Sequence, residues 1–128
     1  MPAAIAAVAT ENAPAPFGHY VQTIVADGFV FISGQLASLA DGTMRSDADF
    51  EAQARQSLDN LLAIAAAAGA APERIVKVTA YIVGAEHWPA FDHVFAEAFG
   101  AHRPARSVVP VPALHHGYLI EIEAIARL

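Results

Sequence analysis

Near the C-terminus, Ile120-Glu121-Ile122-Glu123-Ala124-Ile125-Ala126 sets glutamates between isoleucines at every second position. A side-chain period of two belongs to an extended strand. It sends Glu121 and Glu123 to one face and Ile120, Ile122 and Ala124 to the other. The chain must therefore build a sheet buried on one side. Fifteen positions before Glu121, Arg106 stands at the mouth of a second extended run, Ser107-Val108-Val109, after Pro104-Ala105. A guanidinium there is suited to gripping a planar carboxylate through two parallel bonds. Read alone, these residues fit either two wet strand faces or one site built from both.

The rest of the chain supplies partners for that strand. Ile5 to Val8 predicts an edge strand, broken off by Pro14 and Pro16. Val21 to Val25 and Phe29 to Ser33 flank Asp27-Gly28, the signature of a tight hairpin. Asp47 and Asp49 are candidate N-caps for a helix whose apolar stripe is Phe50, Ala54, Leu58, Leu61, Leu62 and Ala65, with Gly69 as its stop. After Pro72, Ile75 to Val83 reads as a strand with Lys77 and Thr79 on one face and Val76, Val78 and Ala80 on the other. A short helix follows, with Pro89 in its first turn, Phe91, Val94, Phe95 and Ala98 as its buried face, and Gly100 at its end. Arg106 to Val109 and Tyr118 to Ala126 close the order, separated by Pro110, Pro112 and His115-His116-Gly117. Helices over one face of a mixed sheet give an α+β sandwich whose other face needs cover.

Composition says what covers it. The 128 residues form a single domain, residues 1–128, able to bury roughly two thirds of its unfolded surface. Yet 55% of residues are hydrophobic, 16% are charged and the mean hydropathy is +0.39, where about 25% charge is usual. Such a chain is expected to be a homo-oligomer whose interfaces absorb the excess. Charged residues interrupt every apolar stretch long enough to span a membrane, and Met1-Pro2-Ala3-Ala4-Ile5 lacks the character of a signal peptide, so a soluble cytoplasmic protein is expected. Without cysteine there is no disulfide or thiolate chemistry. A net charge of −6 disfavours nucleic acid as partner. Adjacent His115 and His116 point to opposite sides of an extended chain, and the other histidines show no ligand spacing, so no metal is expected.

Several runs resemble the RidA/YjgF family of small enamine/imine deaminases: Pro104-Ala105-Arg106-Ser107, Ile120 to Ala126, Ala9-Thr10-Glu11-Asn12-Ala13-Pro14, Ser33-Gly34-Gln35, Gln53 to Asn60, and Ile75 to Thr79. They follow in order along essentially the whole chain. The resemblance implies a chorismate-mutase-like architecture, a mixed sheet with two helices on one face. Three such chains would close a barrel, a homotrimer with one pocket at each subunit boundary. It implies hydrolysis of a small carboxylate-bearing imine, such as 2-iminopropanoate or 2-iminobutanoate, to a 2-keto acid and ammonia without a cofactor.

Carried over residue by residue, the resemblance assigns Arg106 to the substrate carboxylate and Glu121 to orienting or activating water. Tyr20 would line the pocket with its hydroxyl, and backbone at Ser33, Gly34, Ser107 and Val108 would approach the ligand. There are two departures. Val108 stands where many relatives carry cysteine, and His19 interrupts the usual Gly-Pro-Tyr, either adding a titratable group at the pocket mouth or lying in solvent. The alternatives are a deaminase of another substrate (aminoacrylate from pyrimidine breakdown, or aminomuconate) and a non-catalytic regulatory or RNA-cleaving member.

Overall fold

The computed structural model describes residues 4–128; Met1 to Ala3, part of the N-terminal reading above, lie outside the described residues. Six strands form one sheet in the order β1-β2-β3-β6-β4-β5. They are β1 (Ile5–Val8), β2 (Thr23–Ala26), β3 (Phe29–Gln35), β4 (Ile75–Val83), β5 (Ala105–Val111) and β6 (Ile120–Arg127). β4 and β5 run parallel; the other neighbours are antiparallel. α1 (Phe50–Ala67) and α2 (Trp88–Phe99) pack on each other and on one face of the sheet, making the molecule α+β. No helix among the described residues is long and apolar enough to cross a membrane.

Local sequence sets most boundaries. Asp27 and Gly28 adopt φ of 52° and 79°, the left-handed pair that a two-residue hairpin loop requires. Asp49, not Asp47, caps α1: its carboxylate accepts from the Ala52 N–H at 2.8 Å. The period-two reading of β6 holds, with Ile120, Ile122, Ala124 and Ala126 buried against the helices.

Four details differ from the sequence expectation. In β4 the register slips between Ile75 and Lys77, so Val76 sits in a bulge and is 44% exposed, away from the core face of Val78 and Ala80. In α2 the fourth inward position is Phe99; Ala98 is only half-buried, because Phe99 completes the row of tilted rings Phe91–Phe95–Phe99. Pro110 does not end its strand. It pairs with Ile82 within β5, which lies at the sheet edge, where an absent N–H costs no ladder bond. In α1, Leu62 is half-buried while the polar Gln53, Ser57 and Asn60 are buried.

Two of those polar side chains anchor the irregular segment between β3 and α1. Asn60 Nδ2 donates to the carbonyls of Leu36 and Ser38 at 3.1 and 2.8 Å. Gln53 Nε2 donates to the carbonyls of Ser46 and Ala48, while its Oε1 accepts from the Leu119 N–H at 2.9 Å, just before β6. Buried Tyr118 shares a 2.7 Å bond with Ser38 Oγ and accepts from the Arg45 N–H at 3.0 Å. Backbone polar groups that no strand pairs are thus satisfied from the helix and from the entry to β6.

Candidate functional site

A β-bulge places the first part of the site. Between Ile32 and Gln35, β3 advances three residues while its partner advances two, from Ala124 to Ile122. The extra residue lies in Ser33-Gly34, and a bulge re-aims the backbone at such a point. Ser33 turns back to the residues just before β2, its N–H donating to the Gln22 carbonyl at 3.0 Å and its Oγ to the Val21 carbonyl at 2.6 Å. Gly34 faces Glu121 closely enough that a Cβ there would lie 2.6 Å from Glu121 Oε2. The missing side chain permits that approach, because a Cβ would displace the end of the flexible glutamate.

Glu121 is half-buried, and burial first, then the charge of Glu123, hold its carboxyl above the ordinary range, partly opposed by His115. It lines a cavity of about 480 Å³ with Tyr20, Ser33, Gly34, Gln35 and His115. The far wall is the 14–18 segment. Gln22 shapes that wall: its Oε1 accepts from the Thr10 N–H at 2.8 Å, and its Nε2 donates to the carbonyls of Thr10, Ala13 and Pro14. Tyr20 Oη accepts from the Phe17 N–H at 3.3 Å, which leaves its own proton for the cavity.

Arg106 lies elsewhere in the chain. It pairs with Val78, whose side chain is in the core, so Arg106 projects on the helix side of the sheet; Glu121 pairs with Tyr81 on the bare side. Arg106 Nη1 donates to Asp92 Oδ1 at 2.8 Å, and its guanidinium carbon lies 4.9 Å from the Phe95 ring centre and 5.4 Å from that of Phe91. A second hollow, of about 430 Å³, opens there among Asp92, Phe95, Phe99, Arg103 and Arg106. Ser107 faces the bare side, its Oγ accepting from Lys77 Nζ at 3.3 Å, and Val108 is half-buried against the core.

One chain therefore brings Glu121, Tyr20, Ser33 and Gly34 together and holds Arg106, Ser107 and Val108 apart from them at the β5 edge. His19 does not line the cavity. Three participants escaped the sequence reading. Gln22 carried one usable signal, a polar residue inside the apolar run Val21-Gln22-Thr23-Ile24-Val25. His115 reaches the cavity through a loop with His116 at φ 60° and Gly117 at φ 76°; the glycine signals a turn there but not which way His115 points. Asp92 looks like any exposed helical acid until Arg106 is placed beside it.

The family model described as Endoribonuclease L-PSP matches residues 10–128. A RutC family protein of Pyrococcus horikoshii is 43% identical over 117 residues, covering 91% of this chain and 93% of its own. The 2-iminobutanoate/2-iminopropanoate deaminase of Escherichia coli is 42% identical over 122 residues, covering 93% and 94%. Among solved structures, Escherichia coli TdcF with bound serine superposes with a TM-score of 0.91 at 35% identity, covering 96% of this chain and 98% of that one.

Proposed function

Since the chain belongs to the endoribonuclease L-PSP family, which includes RutC and RidA proteins, we propose that it hydrolyses 2-imino acids, or their 2-enamine tautomers, to 2-keto acids and ammonia. The observation that carries this reading is the half-buried carboxylate of Glu121, held above its ordinary range in a cavity with glycine backbone on one side. Similarity to a named imine deaminase over 93% of the chain supports the substrate class.

The reaction needs few parts. Water adds to the C=N carbon, forming a C–O bond as the π electrons move to nitrogen and take up a proton. The carbinolamine then loses ammonia as C–N breaks and the carbonyl forms. In this reading Glu121 takes the proton from the attacking water and returns one to the departing nitrogen, a role that a raised carboxyl performs better than an ordinary one. The Tyr20 hydroxyl donates to substrate or water. Arg106 holds the substrate carboxylate and so fixes the reacting carbon. Because Arg106 and Glu121 project on opposite faces of the sheet, the complete site takes Arg106 from a second copy whose β5 edge meets the cavity, as in a homotrimer. Ser107 and Val108 come with it. RNA cleavage, the other activity in the family description, calls for a basic groove, and the net charge of −6 with one carboxylate in the cavity disfavours it.

The test couples the protein to a serine or threonine dehydratase and traps surviving imine with semicarbazide. Wild type is expected to lower the trapped imine. Glu121→Gln should lose about 10²-fold or more in turnover, and Arg106→Ala should abolish the effect at low substrate. If both variants scavenge like wild type, the imine-hydrolase reading of this site is wrong.

A further inference from the structure

Arg106 is not a free cation. Its one ionic partner among the described residues is Asp92, which holds Nη1 at 2.8 Å, and two rings of the same helix, Phe91 and Phe95, lie under the guanidinium at 5.4 and 4.9 Å. Three residues of α2, at spacings of one and four, thus hold one end of the fork and lie against its central carbon. The contact is one-armed: only Oδ1 to Nη1 is made, so Nε and Nη2 keep their donors. Asp92 is 63% exposed and Arg106 24%, so the pair adds little to the stability of the fold. Its consequence is orientation and charge.

We propose that Asp92 is a positioning residue for Arg106: it ties down one terminal nitrogen so that the opposite edge of the fork is presented to the substrate carboxylate, and its own negative charge limits how tightly that carboxylate binds. The inference rests on the reading of Arg106 as the carboxylate grip. The two effects of Asp92 separate by substitution. Asp92→Asn keeps an oxygen at the bonding position and removes the charge. Asp92→Ala removes both and lets the guanidinium swing on its ring stack. The charged groups nearby are Arg103, in the same hollow, and His93 and Glu97 on the outer turn of α2, where they pair with each other.

Steady-state kinetics on a short-chain 2-imino acid, generated in the coupled assay, distinguish the outcomes. Asp92→Asn is expected to lower KM about two- to fivefold, a change larger than that in kcat. Asp92→Ala should raise KM by a similar factor. In an Arg106→Ala background neither substitution should move KM further, since nothing remains to be positioned. A structural role alone would shift both variants in the same direction and would persist without the arginine. Either result, or KM unchanged in both variants, overturns the proposal. Should Arg106→Ala by itself leave KM unchanged, the carboxylate grip fails and the role of Asp92 with it, which is a different failure from an Arg106 effect with no Asp92 effect.

Discussion

Glu121 and Gly34 operate as one unit at the level of single side chains. The carboxylate sits against glycine backbone and away from full hydration, so its ionised form is disfavoured. Two consequences have opposite signs. A base must be ionised, so activity is expected above the Glu121 pKa and is lost as pH falls through it, with the acid limb above the ordinary glutamate range. Stability runs the other way: the folded state binds this proton more tightly than the unfolded chain, so Glu121 costs stability at neutral pH and the cost disappears on acidification. Gly34→Ala should bring a Cβ within 2.6 Å of Oε2 and push the carboxylate toward solvent. The expected outcome is a fall in kcat of about tenfold or more, with the acid limb moved toward lower pH. A profile that keeps its acid limb and its kcat would show that Gly34 does not hold the carboxylate.

At the level of elements, the site depends on α1 reaching across to segments without regular pairing. Gln53, fully buried, serves the Ser46 and Ala48 carbonyls and the Leu119 N–H at once, tying the loop before α1 to the start of β6, where Glu121 lies. Gln53→Leu has similar bulk and leaves all three backbone groups without this partner. The expected loss is about 2–4 kcal/mol, from unsatisfied buried groups costing about 1–3 kcal/mol each with partial rescue by water. Chemical denaturation at fixed protein concentration checks it, since an assembly makes the midpoint depend on concentration. A change under about 0.5 kcal/mol would mean the loop is held by other contacts.

For the whole molecule, the face of the sheet without helices carries exposed aromatic surface. Phe31 is 44% exposed and Phe29 40% exposed on it; Phe31 pairs with Ile125, and Phe29 pairs with Arg127. Surface of that kind on a chain with only 16% charged residues calls for a partner, and in the proposed reading that partner is a second copy, which would also deliver Arg106. If the site is shared, two dead variants should rescue each other. Glu121→Gln and Arg106→Ala proteins, mixed and allowed to exchange subunits, form some boundaries in which both residues are wild type. A measurable fraction of activity is expected to return on mixing, and sedimentation should give a mass above that of one chain. Exchange without any regain would place both residues in the same subunit's site.

The sequence by itself determined what is local. Turn chemistry at Asp27-Gly28, an aspartate cap at the start of α1 and the inward isoleucines of β6 follow from short spacings, and ordered runs along the chain resemble one family; each recurs in the structure or the comparisons. Tertiary structure alone decided the rest. The bulges at Val76 and at Ser33-Gly34 arise from the register between strands distant in the chain. The loop that turns His115 into the cavity, and the buried roles of Gln22 and Gln53, depend on which backbone groups were left unpaired nearby. The face on which Arg106 projects is set by its pairing with Val78, and a spacing of fifteen residues carries no information about that. Register and pairing are sums over many contacts between remote segments, which is why candidate residues could be named from the sequence one by one and their arrangement could not.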